Sequence, residues 1–116
     1  MKRQAAEKRG HWGERRAAWW LRLHGWSIIA RRVKSRDGEI DIIARRWRTV
    51  AFIEVKTRAT SVELDRAIDR NRLKRVAAAT HALSAHYAKA SDTIRIDVIL
   101  IAPRHWPRHL RNVWYD

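Results

Sequence analysis

The chain has no cysteine, which excludes disulfide frameworks, thiolate zinc sites and a cysteine nucleophile and is compatible with a reducing cytoplasm. No apolar run approaches the roughly 18 residues of a membrane span. The N-terminal segment Met1–Gly10 carries charges with no apolar stretch behind them, so a soluble, unprocessed, cytoplasmic protein is expected. Only four glycines and two prolines interrupt 116 residues. With no internal repeat or low-complexity linker, one domain with one core is expected. Acids are scarce as well: 12 Asp+Glu against 26 Lys+Arg leave a net charge of +14. The resulting potential attracts polyanions, nucleic acid first among them.

Where the few acids fall is therefore informative. Asp37-Gly-Glu-Ile-Asp-Ile-Ile-Ala44 and Val50-Ala-Phe-Ile-Glu-Val-Lys56 read as adjacent strands joined by Arg45-Arg-Trp-Arg-Thr49. Alternation puts Glu39, Asp41 and Ile43 on one face of the first strand, and Phe52, Glu54 and Lys56 on one face of the second. A charge buried alone in such a sheet costs several kcal/mol unless it pairs or binds a metal. Neighbouring strands lie about 4.8 Å apart, so Asp41 and Glu54, if in register, place oxygens close enough to share one divalent cation. Oxygen-only ligation favours Mg²⁺ or Mn²⁺ over zinc, with water, phosphate oxygens and the Val55 carbonyl completing the shell. Lys56 points to the same face, where an ammonium can hold or deprotonate an attacking water, as phosphodiester hydrolysis requires. The alternative for the same residues is a Glu54–Lys56 or Asp41–Lys56 ion pair with no metal.

Around this pair, residues 1–11 read as a basic, flexible arm, and a helix is expected from Gly13 to about His24 with Ala17, Trp20, Leu21 and His24 on one stripe. Glu14 falls on that stripe and looks inward. Gly25 caps the helix, Trp26–Val33 forms a first strand, and Lys34 and Arg36 lead into the Asp37-Gly38 turn. The connection holding Arg45, Arg46, Trp47 and Arg48 can track phosphates and stack a base, or its tryptophan can pack on its own domain. A small-residue connection containing Arg58 follows, then a helix from about Leu64 or Asp69 to about Lys89, with Leu73, Val76, Ala77, Thr80, Leu83 and Tyr87 on one stripe. Arg70, Arg72, Lys74 and Arg75 crowd its first turns against the helix dipole, which a bound phosphate or plain solvation can accommodate. Thr93–Ile101 is a further strand that carries another acid, Asp97. Pro103 and Pro107 bracket a loop, His105 and His109 are kept from a shared helical face by Pro107, and 109–114 returns as a short final strand.

The ordered set Gly13-Glu14, Gly38-Glu-Ile-Asp-Ile-Ile43, Ile53-Glu-Val-Lys56, Arg95-Ile-Asp-Val98 and Pro107-Arg-His-Leu110 before Trp114 resembles the bacterial YraN-like family of the PD-(D/E)XK superfamily. It covers nearly the whole chain from Trp12, and it is also similar to archaeal Holliday-junction resolvases. The resemblance implies an α/β, restriction-endonuclease-like fold: a central mixed β-sheet of about five strands flanked by helices, with residues 12–116 forming a single endonuclease-like domain. It implies Asp41 and Glu54 as metal ligands, Lys56 as the catalytic lysine, Glu14 as a supporting acid and Mg²⁺ (or Mn²⁺) as cofactor, with Glu39 a further candidate acid. Two positions depart from the family pattern: its usual Gln or Lys at the start of the later helix falls at Arg72, and an Asn before the Gly-Glu-Ile-Asp segment is replaced near Arg32. The implied function is a metal-dependent endonuclease hydrolysing phosphodiester bonds in DNA, including branched or junction DNA. The backbone would be gripped by Arg32, Lys34, Arg36, Arg45, Arg46, Arg48, Arg58 and Arg72, and a homodimer would suit a junction in which two strands are cut. The alternative is a non-catalytic nucleic-acid-binding accessory protein on the same fold.

Overall fold

Three consecutive stretches rich in Ile and Val fold as an antiparallel meander: β1 (Ser27–Lys34), β2 (Glu39–Arg46) and β3 (Thr49–Thr57). The computed structural model describes residues 2–58 and 70–114, with side chains from Gly10 onward. Helix α1 (Lys2–Leu23) precedes the meander; helix α2 (Arg70–Tyr87), β4 (Thr93–Ile101) and β5 (Arg108–Leu110) follow it. β4 lies parallel to β3, so the chain must cross over between them, and α2 lies on that crossover. β5 returns antiparallel on β4, completing a mixed five-stranded sheet in the order β1-β2-β3-β4-β5.

Among the described residues, one helix lies on each face of the sheet. Ala17, Ala18 and Leu21 of α1 bury against Trp26, Ile42, Ala44, Ala51, Ile53, Ile99 and Ile101. Val76 and Ala79 of α2 bury against Ile40, Ile43, Val50, Phe52 and Ile96, and Leu73 completes the packing on Val98, Leu100 and Ala102. Burying one aliphatic side chain contributes about 1.5–3 kcal/mol, so these clusters, not helix propensity, hold α1 and α2 in place.

Element types match the sequence-based expectation, with two differences, in the start of α1 and in the length of β5. The helical backbone reaches back to Lys2 rather than starting at Gly13, because Ala5, Ala6, Glu7, Lys8 and Arg9 are helix formers with no proline among them; the expected basic arm is thus continuous with α1. The expected early start of the second helix, at Leu64 or Asp69, lies outside the described residues. β5 spans three residues and stops at Leu110, after which the Val113 amide still donates to the Ile96 carbonyl at 2.8 Å.

Candidate active site

The β2–β3 ladder pairs Arg46 with Thr49 and runs to Ile42 with Ile53. Continued by one pair, it sets Asp41 opposite Glu54, the register the two acids need to share a ligand. The ladder stops just short of that pair. There the Val55 N–H donates to Asp41 Oδ2 at 2.8 Å, in place of a strand carbonyl. Side-chain alternation also slips at this point: Ile40 and Ile43, three apart, share one core cluster, while Ile42 belongs to the other. Glu39 therefore does not share a regular face with Asp41 and Ile43; it is exposed.

The irregularity is mirrored on β1. Arg31 pairs with Ile42 and Val33 with Ile40, so Arg32 stands opposite Asp41. Arg32 adopts a left-handed backbone, φ 51°, a conformation that costs a non-glycine residue about 1 kcal/mol or more and persists only where surrounding contacts hold it. Its guanidinium reaches helix α1, with Nε at 2.7 Å and Nη2 at 2.6 Å from Glu14 Oε2. Gly13 brings that helix close: a Cβ at Gly13 would overlap the Thr57 hydroxyl. Glycine alone lets α1 lie against the end of β3, and the next residue, Glu14, then borders the cleft.

The cleft encloses about 470 Å³ and is lined by Gly10, Glu14, Asp41, Val55, Lys56, Thr57, Arg58 and Arg72. Beneath it, buried Glu54 accepts on one oxygen, Oε1, from both Arg72 Nε at 2.8 Å and Lys56 Nζ at 3.1 Å. Burial, then repulsion from Glu54, pushes the Asp41 carboxyl up to about 7 against the Val55 hydrogen bond, with Glu14 and Glu39 adding to the rise. Burial lowers the Lys56 pKa; Glu54 opposes the shift, and Arg72 and Arg58 reinforce it. The structure thus joins Glu14, Asp41, Val55, Lys56, Arg58 and Arg72 around one cleft with Glu54 at its floor.

These groups suit an oxygen-binding divalent cation. Asp41 Oδ1 accepts no hydrogen bond among the described residues, and the repulsion that raises the Asp41 pKa is what a cation between the two carboxylates would reverse. No group of three His, Cys, Asp or Glu side chains among the described residues is placed to hold a metal ion together, so a third protein ligand would be a main-chain carbonyl such as that of Val55.

The other expected nucleic-acid contacts divide by location. Lys34 and Arg36 are exposed at the β1–β2 turn, at the same end of the sheet as Asp41. Arg45, Arg46 and Arg48 lie at the opposite end, about 16 Å along the strand from Asp41. Two of those three serve their own domain. Arg45 forks onto Asp92 at 2.7 and 3.2 Å, and Arg46 stacks over Trp26 at 4.6 Å and donates to the His24 carbonyl. Trp47 is 91% exposed. A second basic depression of about 330 Å³, formed by His11, Arg15, Arg31 and Arg32, adjoins the cleft through the Arg32–Glu14 pair. His11, Arg15 and Arg31 were not singled out in the sequence, because helix and strand periodicity mark only buried faces.

Asp97 has a different setting. Fully buried, it accepts from Arg95 Nη2 at 2.8 Å, His109 Nε2 at 2.7 Å and the Asn112 amide at 2.9 Å. Burial works to raise its pKa, but these hydrogen bonds, led by that of His109, hold it below the usual carboxylate range. Its partners were visible only as motif fragments, Arg95-Ile-Asp and Pro107-Arg-His.

A sequence model of the Uncharacterised protein family UPF0102 matches residues 13–101. A UPF0102 protein of Sphingopyxis alaskensis is 60% identical over 114 residues, covering 98% of each chain. One of Erythrobacter litoralis is 59% identical with the same coverage, and one of Methylorubrum extorquens is 45% identical over 97% of this chain and 89% of its own. Among solved structures, the Holliday junction resolvase Hjc of Archaeoglobus fulgidus superposes with a TM-score of 0.58 at 22% identity, over 84% of this chain and 72% of that one. The likeness shows the restriction-endonuclease-like α/β fold. No helix among the described residues is long and apolar enough to cross a membrane.

Proposed function

Because the chain belongs to the UPF0102 family and carries a nuclease-like fold, we propose that it is a metal-dependent endonuclease that hydrolyses phosphodiester bonds in DNA, branched or junction DNA included. The observation that carries this reading is the register that sets Asp41 opposite Glu54, with Lys56 on the same cleft. Asp41, Glu54 and the Val55 carbonyl would hold Mg²⁺ or Mn²⁺, which when bound supplies Lewis-acid polarisation of the phosphoryl group and a more acidic water. Lys56, its ammonium destabilised by burial, takes or shares the proton of the attacking water at Nζ. Arg58 and Arg72 face the growing negative charge on the phosphoryl oxygens. Glu14, fixed by Arg32, adds negative charge beside Asp41. The net charge of +14 gathers the polyanion, and the protein acts in the cytoplasm, as a homodimer where two strands must be cut.

Linear, flapped and four-way DNA incubated with Mg²⁺ or Mn²⁺ tests this. The wild type should cut at least one, and Asp41→Ala or Glu54→Ala should lose at least about 10³-fold of the rate, the scale of removing one electrostatic stabiliser, while still binding DNA. Equal cleavage by wild type and both variants would sink the proposal. Tight binding without cleavage in either metal would instead establish the accessory DNA-binding role.

A further inference from the structure

Resting on the cation site proposed above, we infer that Arg72 is its gate: in the metal-free protein its guanidinium occupies Glu54, and an arriving divalent cation displaces it onto a phosphate of the bound nucleic acid.

Two cations converge on the same oxygen, Glu54 Oε1: Lys56 Nζ at 3.1 Å and Arg72 Nε at 2.8 Å. They differ in freedom. The Lys56 side chain is 7% exposed and fixed in the strand, whereas that of Arg72 is 60% exposed. Arg72 can therefore leave at little cost in packing, and Lys56 cannot. Arg72 also stands in the first described turn of α2, beside Arg70 and with no acid in that turn. A cation there opposes the helix dipole, and a carboxylate or a phosphate relieves that opposition equally well. The cleft that Arg72 lines gives it about 470 Å³ in which to swing. A divalent cation bound by Glu54 removes the negative charge that Arg72 pairs with, repels the guanidinium, and leaves a planar donor suited to phosphate oxygens at the mouth of the cleft. Arg72 then acts as a positioning and substrate-binding residue only after the cation has arrived, so the cleft grips a phosphate only when it is loaded.

Two readouts separate this from an ordinary phosphate contact. In the first, Mn²⁺ is titrated calorimetrically into the metal-free full-length protein without DNA. Arg72→Ala and Arg72→Gln should bind Mn²⁺ about three- to tenfold more tightly than wild type, the range expected on releasing a charge-assisted, part-exposed pair. In the second, fluorescence anisotropy compares affinity for one DNA duplex in Ca²⁺ and in EDTA. Both variants should lose affinity in Ca²⁺ and match wild type in EDTA. Unchanged Mn²⁺ affinity in both variants, or an equal loss of DNA affinity with and without cation, overturns the gate. Asp41→Ala is titrated in parallel to separate the two proposals. If it abolishes Mn²⁺ binding while the Arg72 variants match wild type, the gate alone falls. No binding by wild type, or binding that survives in Asp41→Ala, overturns both the cation site and its gate.

Discussion

Asp41 and Asp97 start as the same kind of residue, an aspartate in an apolar strand of one sheet, and reach opposite electrostatic states. Asp97 is met by a guanidinium, an imidazole and a main-chain amide, which outweigh its burial and hold its pKa down. Asp41 receives one amide, faces Glu54, Glu14 and Glu39, and is pushed up to about 7. Burial does not separate the two, since the fully buried Asp97 keeps the lower pKa and the half-buried Asp41 the higher. The number of donors brought by neighbouring chain segments does. One acid is a satisfied structural group, and the other is held at a cost that a ligand can relieve.

The largest test of this contrast is Asp97→Ala, which strands Arg95 and His109 in the interior and should destabilise the fold by about 3–5 kcal/mol. Urea denaturation measures it, and a loss below about 1 kcal/mol would show that the network contributes little. Gly13→Ala comes next. Its methyl must push α1 away from Thr57, at about 1–3 kcal/mol for overpacking, and cleavage should fall because Glu14 moves with the helix; unchanged melting and unchanged cleavage would mean the close approach is unimportant. The smallest change has the opposite sign. Asp41→Asn should stabilise the protein at pH 8 by about 1–2 kcal/mol, since each pKa unit is about 1.4 kcal/mol and the buried pair relaxes. The folded carboxyl, at about 7, binds its proton more tightly than the unfolded one near 3.8. Wild-type stability from this group therefore falls as pH rises from 4 to 7, and the gain in Asp41→Asn should vanish toward pH 4. For Asp97 the sign reverses: its lowered pKa gives stability above the unfolded value that is lost on acidification. Thermal melts carried from pH 8 to below the unfolded value of 3.8 show both trends, and a pH-independent Asp41→Asn gain would break the comparison.

Much of the site was legible because it is local. Asp41 and Glu54 lie in two strongly apolar strands joined by a tight turn, so strand period gave each a face, an assumed register brought them together, and the family motif supplied the roles. The slip in alternation at Asp41 was not legible, since it arises from pairing with β1, where Arg32 takes a left-handed backbone. Nor was the fate of the hairpin arginines. Arg45 reads as a free cation in sequence, yet Asp92, 47 positions away, claims it. The ring of donors around Asp97 includes the Asn112 main-chain amide, and a backbone donor leaves no mark in a sequence. The early start of α1 was missed because the charged segment was weighed for burial and not for helix propensity.

The Arg45–Asp92 fork has a reach beyond its own turn. The cleft's strand-borne groups fall between Asp41 and Thr57, and the Asp97 ring between Arg95 and Asn112, so each is gathered by short-range closure. The parallel β3–β4 ladder is the seam between these halves, and it bears the entropy of closing a long stretch of chain. Asp92 anchors one end of that seam beside the pairing of Thr49 with Thr93. Counting along the same ladder fixes Glu54 beside Val98, so a clasp on the far side of the sheet sets the longitudinal position of the acid at the floor of the cleft.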